Sequence, residues 1–202
     1  MEEIYKNLFS IQRTSFLLVR QDGNFLLGSK RDISDDFEAI ASKGPVTKIL
    51  LGDRHHGIEM TSRMAEYFNA SICCSAQEAK VLKKRGIQVS EVIEHKQHYL
   101  AENLQAIPTP GHTQGALSYL WETAGQKILF IGDTIVPIDG EWEVWVTKPN
   151  RHIMRSTMVM LEKLQFDFIA SNSFAATGEV LIPMTPEVKQ HLITSVLEKI
   201  AA

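Results

Sequence analysis

Pro108-Thr109-Pro110-Gly111-His112-Thr113-Gln114-Gly115, followed by Ile128-Leu129-Phe130-Ile131-Gly132-Asp133-Thr134, decides how this chain is read. The first segment carries a histidine on a tight Pro/Gly turn. The second carries an aspartate at the end of an apolar strand, one hairpin further on. Residues 116–121 and 127–131 read as the strands of that hairpin, turned at Thr123-Ala124-Gly125. An imidazole and a carboxylate at neighbouring strand ends can both reach one cation.

Working outward, short apolar strands mix with amphipathic helices. Residues 15–19 and 25–27 flank Asp22-Gly23-Asn24 and predict a β-hairpin. Ser34 is the expected cap of a helix running to about 42 and stopped by Gly44-Pro45. Residues 46–51 make a compact apolar strand, 61–68 have helical spacing, and 72–74 make a short strand. Ser75 is the expected cap of a helix ending near Gly86, where Lys83-Lys84-Arg85 complements the helix dipole. Residues 89–93 and 104–107 extend the strands into a long antiparallel run reaching 130. Residues 154–164 are helical and 166–170 form a strand. Thr185-Pro186 opens a last helix with an apolar stripe of Val188, Leu192, Val196, Leu197 and Ile200. This alternation fits two facing sheets with helices outside, in a single domain over 1–202.

The bulk numbers narrow the function classes. The 202 residues are 44% apolar and 22% charged, an ordinary globular composition. A net charge of -3 does not favour nucleic acid or anionic lipid as a partner. Met1-Glu2-Glu3-Ile4-Tyr5-Lys6 lacks the basic start and apolar run of a signal peptide. No segment approaches the roughly 18 apolar residues of a membrane span. Cys73 and Cys74 are adjacent, so in a strand they point to opposite faces and make no disulfide framework. Buried thiols in a reducing compartment, and hence a cytoplasmic protein, are expected.

The two opening segments resemble the central motifs of the metallo-β-lactamase superfamily, and the resemblance extends along most of the chain. It implies a four-layer αββα sandwich. Members carry a His-x-His-x-Asp-His motif just after an apolar strand. The matching stretch here is Ile49-Leu50-Leu51-Gly52-Asp53-Arg54-His55-His56-Gly57-Ile58. Asp53 takes the first histidine position and His55 keeps the second. Gly57 replaces the motif aspartate, and Ile58 its last histidine. His112 matches the histidine after the Pro-Gly turn, and Asp133 the carboxylate that bridges two metals in the family. The final family histidine has no counterpart in Ser171-Asn172-Ser173-Phe174, and the early aspartate is missing where Leu27 runs into Gly28-Ser29-Lys30.

These losses are selective. All four positions that hold the first metal in the family carry donors here: Asp53, His55, His112 and Asp133. Of the second set only the bridge remains. Two imidazoles and two carboxylates, with a charge of about -2, suit one divalent ion, with zinc first and iron or manganese as alternatives. The expected activity is hydrolysis of a small ester, thioester, lactone or phosphoester by metal-activated water. Gly57 removes the carboxylate that usually orients that water, which leaves His56 and Glu59 as the nearest proton carriers. A register pairing Arg54, His56, Ile58 and Glu59 with the motif keeps fewer donors. The competing expectation is a metal-free pseudoenzyme serving as a binding or interaction module, with His112 and Asp133 merely bonding across loops. A redox iron site is a weaker third. A small-molecule substrate is expected, and a homodimer is an open assembly.

Other polar residues carry blander expectations. His95 and His98 read as solvated surface, His152 as a helix-start polar residue and His191 as outward-facing. Trp142, Val144, Trp145 and Val146 read equally as core or as a substrate wall, and Arg54 and Lys148 could meet an anionic substrate.

Overall fold

The hairpin at Asp22-Gly23-Asn24 forms because Gly23 takes φ +99, where a Cβ would also stand 2.4 Å from Thr47 Cγ2. It lies in the first of two units into which the computed structural model divides, Met1–Glu94 with Asn172–Phe174; His95–Ser171 with Ala175–Ala202 form the second. The structure describes residues 1–28 and 30–201.

The first unit holds a seven-stranded sheet in chain order: β1 Glu2–Tyr5, β2 Leu8–Ile11, β3 Ser15–Leu18, β4 Asn24–Leu27, β5 Val46–Leu50, β6 Ser71–Ser75 and β7 Glu91–Ile93. β1 to β4 pair antiparallel, and β4 to β7 pair parallel. Parallel neighbours need crossovers, and α1 Phe37–Ala41, α2 Glu59–Phe68 and α3 Ala76–Lys84 supply them. Leu17, Leu26, Ile49, Met64 and Leu82 are wholly buried in one core, each such side chain contributing about 1.5–3 kcal/mol. Ser75 caps α3 by accepting from the Glu78 amide at 3.4 Å.

The second unit holds a six-stranded sheet. Its strands are β8 His98–Ala101, β9 Leu104–Pro108, β10 Leu117–Thr123, β11 Gln126–Phe130, β14 Phe168–Ala170 and β15 Ile182–Pro183, ordered β15-β14-β11-β10-β9-β8. A separate hairpin pairs β12 Val136–Ile138 with β13 Glu141–Glu143. α4 Arg151–Lys163 and α5 Pro186–Ala201 bury Met154, Met158, Leu192 and Val196 with Leu129 and Ile131. Thr185 accepts from the Val188 amide at 3.3 Å, the cap expected of it.

Two expectations change. Ser34 does not cap a helix: residues 34–36 form a 3-10 turn, and Asp32 accepts from both the Ser34 amide and hydroxyl. The side chain two residues earlier satisfies the orphan donor, so the α-helix begins only at Phe37. The antiparallel run from 89 to 130 is divided, with β7 parallel to β6 in one sheet and β8 to β11 antiparallel in the other. The polar N-terminus contributes two strands, β1 and β2. Cys73 and Cys74 are buried and free, as expected. No helix among the described residues is long and apolar enough to cross a membrane.

Candidate metal centre

The loop after β5 is folded by its own polar groups. Asp53, 2% exposed, accepts from the His55 amide at 2.7 Å, and its carbonyl accepts from the His56 amide at 3.3 Å. This side-chain turn brings His55 Nδ1 to 3.5 Å from Asp53 Oδ2. Arg54, between the two donors, reaches away to α3. Glu78 accepts from Arg54 Nε at 2.6 Å, Nη2 at 3.0 Å and the backbone amide at 3.1 Å. Arg85 Nη1 donates to the Arg54 carbonyl at 2.7 Å. The Glu78 hydrogen bond holds the guanidinium above its ordinary pKa, with the charges of Glu78 and Asp53 adding to it and burial opposing. Arg54 is therefore tied to a buried carboxylate rather than offered to a substrate anion.

His56 is turned inward, 1% exposed, with Nδ1 3.8 Å from Asp53 Oδ1. Its carbonyl accepts from Thr61 Oγ1 at 3.0 Å, and Thr61 Oγ1 in turn accepts from the Ile58 amide, closing the start of α2. Glu59 is the exposed first residue of that helix. A Cβ at Gly57 would stand 2.2 Å from Leu82 Cδ2. Leu82, wholly buried, occupies the volume in which a side chain at the motif aspartate position would begin.

The loop after β9 is held by hydroxyls and carbonyls. Gly111 takes φ +146, and a Cβ there would meet Met154 Cε at 2.7 Å. Thr157 donates to the Pro110 carbonyl at 2.6 Å, and the Gly111 amide to the Thr113 carbonyl at 3.0 Å. His112 Nδ1 lies 2.7 Å from the Trp145 carbonyl. A carbonyl only accepts, so Nδ1 carries a proton, and it is the Nδ1–H tautomer that presents a lone pair at Nε2. That Nε2 stands 3.9 Å from Asp133 Oδ2. Asp133, 3% exposed, follows Gly132, whose carbonyl accepts from Ser171 at 2.8 Å. Buried hydroxyls join the two loops: Thr134 donates to Thr109 at 3.2 Å, and Thr109 and Ser118 share a 2.8 Å bond.

Asp53 and His55 of the first unit, and His112 and Asp133 of the second, form two imidazole–carboxylate pairs 3.5 and 3.9 Å apart. Neutral imidazoles and two carboxylates are the donor chemistry a divalent ion needs, with charge balance. His56 and Glu59 stand outside this group. The segment where the resemblance looks for a last histidine is used for backbone bonding: Ser171 holds the Gly132 carbonyl, and Asn172 donates to the Gly28 carbonyl at 2.8 Å.

The remaining expectations resolve individually. His95 and His98 are half-buried and bonded to the carbonyls of Ala116 and Lys96, not simply solvated. His152 and His191 are exposed. Trp142 is core, whereas Trp145 is 40% exposed with its ring 6.5 Å from that of His112. Sequence reading missed Glu78, Leu82, Thr109, Ser118 and the Trp145 carbonyl. Glu78 alone carried a signal, as an acid three residues after a capping serine.

No protein-family model matches the chain. A hydroxyacylglutathione hydrolase of Bartonella tribocorum is 31% identical over 90 residues, 43% of this chain and 33% of that protein. The chain thus matches about a third of that relative's length. Among solved structures, a Cronobacter sakazakii metallo-β-lactamase with a HARLDQ motif has a TM-score of 0.66 at 20% identity, covering 84% of this chain and 79% of that one. The class B3 di-zinc metallo-β-lactamase LRA-12, from an Alaskan soil metagenome, has a TM-score of 0.69 at 15% identity, covering 99% and 90%. The chain has the metallo-β-lactamase fold, the class expected from its sequence.

Proposed function

We propose that this metallo-β-lactamase-fold chain is a hydrolase of a small ester, thioester, lactone or phosphoester, with one divalent ion held by Asp53, His55, His112 and Asp133. The observation that carries the reading is a pair of imidazole–carboxylate sets on three loops, His55–Asp53 at 3.5 Å and His112–Asp133 at 3.9 Å. Such an ion, zinc first with iron or manganese as alternatives, supplies a water with pKa lowered towards ~7 and a Lewis acid for the substrate oxygen. The residues do the rest. The Trp145 carbonyl fixes the His112 tautomer that carries the proton on Nδ1 and the lone pair on Nε2. Asp53 and Asp133 balance the ion's charge. The exposed Trp145 ring beside His112 offers an apolar wall to a substrate. Glu59, exposed at the start of α2, is the proton carrier open to solvent, and His56 backs Asp53 from within.

Support for a single ion comes from Leu82 against Gly57 and from the carbonyl-bonded Ser171 and Asn172. The 31% identity to a hydroxyacylglutathione hydrolase over 90 residues favours a hydrolase, and thioesters are the first substrates to try. The test is metal analysis of protein purified without chelator, beside His112→Ala. About one equivalent, lost in the variant, is expected. Substoichiometric metal in both overturns the reading. The same missing donors at Gly57, Ile58 and Ser173 favour a pseudoenzyme as the alternative, and metal-dependent turnover of a thioester or phosphodiester panel excludes it.

A further inference from the structure

The donor loop contains a competitor for its own ligand. Arg54 sits between Asp53 and His55, and a guanidinium forks readily onto a carboxylate. A unit positive charge beside Asp53 would neutralise that carboxylate and repel a divalent ion. We propose that Glu78 is a positioning residue that parks the Arg54 guanidinium on α3 and so keeps it off the Asp53 carboxylate. The inference rests on the metal reading above.

The geometry is specific. Glu78 is wholly buried and receives three N–H groups of one residue, two from the guanidinium fork and one from the backbone beside it. The Ser75 cap fixes its amide in the first turn of α3, so its carboxylate does not follow Arg54 if the loop moves. Arg85 holds the Arg54 carbonyl from the C-terminal end of the same helix. Both ends of one helix therefore grip one residue of the donor loop. The Asp53 charge already acts on the guanidinium, so Asp53 is its natural partner once Glu78 loses its charge.

The test compares zinc affinity, by competition with a chromophoric chelator, in the full-length wild type, Glu78→Gln and Arg54→Met/Glu78→Gln. Loss of an orienting carboxylate outside the ligand set costs about 10–100-fold in metal affinity, and that loss is expected in Glu78→Gln. The double variant, with no guanidinium to capture Asp53, is expected to return to within a few-fold of wild type. An anchor without the parking role gives a double variant as weak as the single, and that result overturns the proposal, as does an unchanged Glu78→Gln. If Glu78→Gln fails to fold, the double variant carries no unpaired charge and decides alone: near-wild-type affinity supports the proposal and weak binding overturns it. A second readout needs no metal. In metal-free Glu78→Gln the Arg54 Nε–H resonance is expected to stay protected from exchange, and to lose that protection when Asp53→Asn is added. Protection that survives Asp53→Asn overturns the proposal. Wild-type protein that binds no zinc overturns the metal reading instead, and leaves this resonance to judge Glu78.

Discussion

The donor loops of the two units carry the same pair of groups, one imidazole and one carboxylate per unit, yet are held by opposite means. The loop after β5 has lost most of the family motif and is fixed by charge, through Arg54, Glu78 and Arg85. The pair of loops bearing His112 and Asp133 keeps its motifs and is fixed by neutral bonds among Thr109, Ser118, Thr134, Thr157 and carbonyls. A loop held by neutral bonds depends on local turn residues, so its motif must persist. A loop held by a remote ion pair can change its own letters as long as the remote partner stays.

Four measurements break or sharpen this contrast, the largest effect first. Gly111→Ala forces a side chain onto φ +146 and into Met154. Strain and overpacking together cost roughly 2–5 kcal/mol in urea unfolding; a loss under 1 kcal/mol would show that the turn tolerates a Cβ. Gly57→Ala has no such backbone penalty, and its Cβ meets the end of one leucine. It costs about 1–3 kcal/mol, and Leu82→Ala in the same chain recovers part of that instead of adding its full cavity penalty. Strict additivity would remove Leu82 as the obstruction.

The third measurement follows the pH. Burial, with the charges of Glu91 and Glu78 respectively, pushes the Cys73 and Cys74 thiols from 9.0 up to about 12. The unfolded chain then loses thiol protons from about pH 9 while the folded one retains them. The unfolded state binds fewer protons in that window, so stability falls as pH rises between about 9 and 12 and is unaffected by these groups below it. The slope reaches about 1.4 kcal/mol per pH unit per thiol. Urea midpoints at pH 8, 9 and 10 check it, and a Cys73→Ala/Cys74→Ala chain with the same decline attributes the loss elsewhere. Both thiols lie in the first unit, so its amide exchange accelerates before that of the second. Smallest is Thr134→Val, which removes one hydroxyl link to Thr109 and costs about 0.5–1.5 kcal/mol. A change in zinc affinity beyond a few-fold there would show that the hydroxyl chain sets His112 and Asp133 more finely than stability alone reveals.

What could be read from the chain followed the same division. The Pro-Gly-His and Gly-Asp-Thr turns, the Ser75 and Thr185 caps and the strands from 104 to 130 are written in neighbouring residues, and they stand where expected. Ser34 misled because Asp32, two residues away, is the better acceptor. The sheet boundary at Glu94 was invisible because strand alternation does not say which neighbour a strand joins. Glu78 was not singled out, because its role needs a partner 24 residues earlier. Leu82 filling the space at Gly57 likewise depends on two positions that only the fold brings together. The four donor positions came from family likeness, and two of them fall in each unit.

Asn172 donates to a carbonyl 144 residues earlier, and Asn172–Phe174 belong to the first unit. During translation the N-terminal sheet can pair its strands early, but its polar contact at Gly28 waits until more than four-fifths of the polypeptide has been made. An abbreviated product ending near Glu94 leaves the ribosome without that contact. Quality control in the cell then meets the fragment with a main-chain acceptor still unclaimed.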